Sequence, residues 1–119
     1  MKSVQGNFEA RGGRSQLRVM LKSGLLMRLE AAPGKESDVE RLLTGILARV
    51  QREAGTRVWM AIRLGPSSFA VVSAFPDATA RNAHLAGEVA ARLKEGVADL
   101  LASPLHLEEF EVLASKLPR

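Results

Sequence analysis

Leu25-Leu26-Met27-Arg28-Leu29-Glu30 alternates in character and runs into Pro33-Gly34-Lys35-Glu36, and a helical period follows at once. Alternation places Leu25, Met27, Leu29 and Ala31 on one face of a strand over about 24–32, with Leu26, Arg28 and Glu30 on the other. Pro33-Gly34 ends that strand as a turn. Val39, Leu42, Leu43, Ile46, Leu47, Val50 and Ala54 then recur at i, i+3, i+4 and i+7, which predicts a helix over about 35–54. Ser37 or Asp38 suits its start and Gly55 its C′ position.

Beyond that helix the period drops to two. Val58, Met60, Ile62 and Leu64 alternate with Arg57, Trp59, Ala61 and Arg63, and Gly65-Pro66-Ser67-Ser68 turns the chain. The return strand, 69–75, is apolar on both faces, as in a strand covered on both sides. Pro76 stops it, and Asp77 is a natural N-cap for a second helix, with Leu85, Val89 and Leu93 as its buried stripe. Gly96 divides that helix from a short helical piece over 97–102, and 105–113 supplies a last strand. The order is β-α-β-β-α-β, the α+β, ferredoxin-like plan with one antiparallel sheet.

Two helices on one side of a four-stranded sheet leave the other side bare. Alternation assigns Trp59, Ala61 and Leu26 to that open face, together with one apolar set of the 69–75 strand. An apolar patch of several hundred Å² marks an interface or a ligand groove, not an ordinary monomer surface. A second copy facing it would close a barrel, so the expectation is a homodimer.

Composition narrows the rest. The 119 residues suit one domain and contain no cysteine, which excludes disulfides and thiolate metal sites and fits a reducing, cytoplasmic compartment. No apolar run reaches membrane-span length, and the charges at Arg11, Arg14, Arg18 and Lys22 break any signal-peptide core. The chain divides into a basic leader or extra edge strand, 1–24, and a domain, 25–119. The leader holds five basic residues and one acidic, which is the whole net charge of +4, so the domain is neutral. With one leader aromatic, Phe8, and no stacking series, neither nucleic acid nor membrane is an expected partner.

The segment 25–113 resembles the antibiotic biosynthesis monooxygenase family of the dimeric α+β-barrel superfamily. The matching positions are Pro33-Gly34-Lys35-Glu36, Gly55, the 69–75 strand, Asp77, and Ala83-His84-Leu85. The resemblance implies the fold, a homodimer and a small-molecule pocket between sheet and helices. Its activity would be cofactor-independent oxygenation of a small aromatic or quinol-like compound, with no cofactor and no metal. A non-catalytic binding or dimerisation module of the same fold is the alternative. Three features depart from the family pattern. Ser73 and Phe75 stand where members often carry Glu-x-Trp, tyrosine is absent, and Met27, His84 and Lys94 do not match the heme-degrading branch.

The resemblance puts a histidine at His84, near the mouth of that pocket, where a neutral imidazole can accept a phenolic or enolic proton. Trp59, the single tryptophan, can stack on a planar substrate or anchor the dimer interface. Arg28 and Arg63, assigned to the face of Trp59, can bind a carboxylate or polarise a carbonyl, or else pair with Glu30 across the interface. Phe75 completes the candidate substrate-binding set. His106, near an edge, reads as a surface residue, and Glu108, Glu109 and Glu111 read as a solvated edge. Two histidines without HxH or HExxH spacing make no metal motif.

Overall fold

A computed structural model describes residues 20–118, and the leader up to residue 19 lies outside the described residues. The elements are β1 (Ser23–Glu30), α1 (Glu36–Gly45), α2 (Leu47–Val50), β2 (Val58–Arg63), β3 (Ser68–Phe75), α3 (Ala78–Leu85), α4 (Glu88–Val97) and β4 (His106–Glu111). The sheet is antiparallel throughout, in the order β2-β3-β1-β4. This is the ferredoxin-like α+β fold read from the sequence.

The register decides which residues face the helices. Met27 pairs with Val71 and Val71 with Ala61, while Leu25 pairs with Ser73 and Ser73 with Trp59. Met27, Leu29, Phe69 and Val71 join Val39, Leu43, Ile46, Val50, Val89, Leu93 and Val97 in one core, with Trp59 and Ala61 packed against it. Trp59 and Ala61 therefore lie on the helix side, which corrects their expected place on the open face. Alternation separates the two sides of a strand without saying which side meets the helices, and in β2 both sides are apolar. The open face is built instead from Leu26, Val58, Met60, Ile62, Val72 and Phe110, with Ala70 and Ala74 beneath them. It is no less apolar than expected.

The helices are shorter than their sequence periods. The first stops at Gly45, resumes for one turn over Leu47–Val50, and reaches β2 through turns in 51–57. Gly55 therefore lies in that connection and not at a helix end. The second breaks at Gly87, which becomes the N-cap of α4 in an extended conformation, while Gly96 stays inside α4. This break changes the helical phase. Leu85 is 36% exposed and His84 is buried at 8%, so the stripe expected through Leu85, Val89 and Leu93 holds only for the last two. Asp77 caps α3 as expected, its carboxylate accepting from the Ala80 N–H at 2.9 Å. Gly34 turns the chain after β1 with φ +83°, a conformation that favours glycine.

The sheet extends slightly upstream of the expected boundary at residue 24. Leu21 is buried, Lys22 N–H donates to the Phe75 carbonyl at 2.9 Å, and Val112 N–H donates to the Lys22 carbonyl at 2.9 Å. Within β1, a side chain at Gly24 has no room, because an added Cβ would lie 2.1 Å from Phe110 Cζ and 2.7 Å from the Ser73 carbonyl oxygen. The Phe110 ring can rotate away but the Ser73 backbone cannot. Gly24→Val is expected to destabilise the fold by about 1–3 kcal/mol, the usual cost of overpacking. Urea denaturation with an unchanged m-value will measure it.

Candidate functional site

His84 lies in the last turn of α3, and Phe75 ends β3 on the helix side of the sheet. The two rings lie 5.3 Å apart at a tilt of 44°, with Phe75 fully buried. The turn after α2 brings Glu53 and Thr56 to the same place. His84 Nδ1 is 2.6 Å from Glu53 Oε1, and the Thr56 hydroxyl donates to that same oxygen at 2.8 Å while lying 3.3 Å from Nδ1. The side chains of His84 and Glu53 are 7% and 22% exposed. A hydrogen bond to a charged group in such a setting contributes about 1.5–3 kcal/mol. The pair ties the α2–β2 connection to α3.

Sequence reasoning found His84 and missed its partners. Glu53 and Thr56 stood inside, or just after, what reads as a continuous helix to residue 54, and nothing in the local pattern sends Glu53 inward. Only the early end of that helix does so. Gly87 belongs to the same corner, since a Cβ there would lie 3.5 Å from Glu53 Oε2 and 3.2 Å from the Ala83 carbonyl oxygen.

Trp59 is half-buried on the helix side, and its indole N–H is buried without a hydrogen-bond partner among the described residues. A buried donor left unpaired costs about 1–3 kcal/mol, so its presence asks for an acceptor. Two shallow, open grooves lie elsewhere among the described residues. One of about 440 Å³ runs between α1 and α4 past Leu42, Ile46, Gly96, Arg49 and Arg92, and one of about 340 Å³ lies beside Lys22, Arg81 and Phe110. Neither is bordered by His84 or Trp59, so these two residues do not share either groove.

The two arginines separate. Arg63 is on the helix side with Trp59, its guanidinium 4.8 Å from the Phe69 ring centroid and paired with Glu40. Arg28 is exposed on the opposite, open face, beside His106 and Ala70. This corrects their expected common face, for the same reason of register. Glu30 meets neither of them within the chain. Hydrogen bonds from Ser67 and then Ser68 hold its carboxyl below the usual carboxylate range. His106 is exposed, its Nε2 2.8 Å from Glu108 Oε2, and Glu109 lies on the other side of β4, 3.6 Å from Arg81.

Among the described residues, no three His, Asp or Glu side chains group as metal ligands, and no helix is long and apolar enough to cross a membrane.

Comparison with known proteins extends the fold assignment. No family model and no curated protein matches the sequence. Solved structures do match. A protein of unknown function from Nitrosomonas europaea is 44% identical, with a TM-score of 0.81 over 86% of this chain and 99% of its own. A candidate antibiotic biosynthesis monooxygenase from the same organism is 16% identical, with a TM-score of 0.71 over 77% of this chain and 99% of its own. Another from Caulobacter crescentus is 16% identical, with a TM-score of 0.70 over 81% and 93%. The chain belongs to one family with the Nitrosomonas protein of unknown function, a family antibiotic biosynthesis monooxygenase-like in its fold.

Proposed function

We propose that this protein is a cytoplasmic, homodimeric, cofactor-independent monooxygenase acting on a small aromatic or quinol-like compound, with His84 as its general base. The observation that carries the reading is the anchoring of His84. Glu53 and Thr56 occupy its Nδ1 side and Phe75 its ring, and Nε2 makes no hydrogen bond among the described residues. A histidine held by one nitrogen and left open at the other is the arrangement that proton abstraction needs.

For an anthrone-like substrate, Nε2 takes a proton from the ring CH₂ and leaves an electron-rich carbanion. That carbanion transfers electrons to O₂ and captures it as a carbon-bound peroxide. Loss of water from the peroxide leaves a carbonyl, so CH₂ plus O₂ becomes C=O plus H₂O. Carbon is oxidised, O₂ is reduced, and the abstracted proton departs in the water. Trp59 supplies a planar surface and its unpaired N–H to a substrate oxygen, Phe75 flanks the imidazole, and Arg63 and Arg28 are the candidate anion-binding groups on the two faces.

The test is oxygen uptake by the wild-type protein with anthrone and substituted hydroquinones. Trp59→Phe keeps a ring and deletes the donor. It is expected to raise KM about 2–10-fold, the equivalent of one hydrogen bond, with kcat held. A change in melting temperature alone would make Trp59 a packing residue. The alternative, a non-catalytic binding or dimerisation module, draws on Ser73 and Phe75 at the Glu-x-Trp positions and on grooves that avoid His84. Absence of oxygen uptake across the panel favours it.

A further inference from the structure

We propose that Glu53 is the positioning residue of this site, holding the neutral His84 imidazole in its Nδ1–H tautomer so that the lone pair sits on Nε2. The inference deepens the reading of His84 as a base and rests on it for its catalytic meaning, but the tautomer is a property of the protein alone.

A carboxylate can accept hydrogen bonds and cannot donate them, so the hydrogen in the 2.6 Å contact between Glu53 Oε1 and His84 Nδ1 belongs to the imidazole. The Thr56 hydroxyl is committed to the same carboxylate oxygen at 2.8 Å, so it does not compete to place a proton on Nδ1. Ring rotation is hindered by Phe75, 5.3 Å away and fully buried, which keeps Nε2 from exchanging places with Nδ1. Gly87 adjoins the second carboxylate oxygen, since a Cβ there would meet it in ordinary van der Waals contact at 3.5 Å. Glu53 and Thr56 from the α2–β2 connection and Phe75 from β3 therefore define one orientation and one tautomer of His84. Orientation of a base by a third group is the general arrangement of activated sites.

The chain offers an internal contrast. Its other histidine, His106, meets Glu108 through Nε2, so the same logic gives it the opposite tautomer. Long-range ¹H–¹⁵N spectra of the uniformly labelled full chain, recorded at alkaline pH, will distinguish them, with His106→Asn for assignment. The expected result is Nδ1–H at His84 in the wild type, retained in Glu53→Gln, whose amide oxygen still accepts, and relaxed toward Nε2–H in Glu53→Leu. Nε2–H at His84 in the wild type, or an Nδ1–H signal unmoved in Glu53→Leu, overturns the proposal. Should Glu53→Leu fail to fold, the wild-type tautomer decides alone.

Oxygen uptake with anthrone provides the second readout. Glu53→Leu is expected to lower kcat about 10–100-fold, the usual effect of losing an orienting partner, with KM within twofold and with most of the rate recovered in Glu53→Gln. A fall in melting temperature with kcat intact would leave Glu53 a structural clamp and overturn its positioning role. If the wild type consumes no oxygen, the base reading fails while the tautomer stands or falls on the spectra, so the two failures are distinguishable.

Discussion

Replacing His84 with asparagine is expected to slow anthrone-dependent oxygen uptake by about 10²–10⁴-fold, the contribution of a positioned general base. Asparagine is the informative choice because its amide nitrogen can occupy the place of Nδ1 and keep the Glu53 contact, while nothing replaces Nε2. The melting temperature should therefore stay close to that of the wild type. His84→Ala removes the base and also takes from the partly buried Glu53 carboxylate its partner 2.6 Å away, leaving it the Thr56 hydroxyl. Alanine should lose both rate and stability, asparagine only rate. If asparagine retains turnover, His84 is a structural residue and the chemistry lies elsewhere.

Substituting Val72 with aspartate is expected to dissociate the protein. Val72 pairs with Leu26 on one side and Met60 on the other, in the middle of the open face, where Met60 is 51% and Ile62 38% exposed in the single chain. Two such faces brought together would remove both patches from water, and an unpaired charge buried there would cost about 3–5 kcal/mol. Sedimentation equilibrium at micromolar concentration should show a wild-type dimer and a folded V72D monomer. Ala61→Asp makes a sharp control, because Ala61 packs against the helix-side core and the same charge there should unfold the chain. A wild-type monomer at micromolar concentration, or V72D remaining dimeric, removes the open face as the interface.

Much of the fold was legible because its signals are local. The alternation of β1, the turn at Pro33-Gly34, the cap at Asp77 and the hairpin from β2 to β3 each declare themselves within a few residues. The faces were less so. Trp59 and Ala61 alternate with Val58, Met60 and Ile62, both sets are apolar, and only pairing with Ser73 and Val71 decides between them. The helix breaks at Gly45 and Gly87 were similarly hidden, since the apolar period runs across both. At the site, His84 could be singled out by its chemistry. Its neighbour Glu53 is 31 residues away in the chain, and a contact between connections of that separation leaves no trace in either local pattern.

The sheet order carries a consequence for how the chain comes to be folded. β1 is made before every other strand among the described residues, yet both of its neighbours follow it, β3 from Ser68 onward and β4 complete only at Glu111. Pairings so distant in sequence raise the contact order and slow folding relative to helical proteins of the same size. During synthesis at about 5–20 residues per second, roughly 4–16 s separate the end of β1 from completion of its last partner. Throughout that interval Leu25, Leu26, Met27 and Leu29 emerge without the strand that finally covers one edge. The segment that is most diagnostic of the fold is thus also the one left longest to the care of the ribosome and its chaperones.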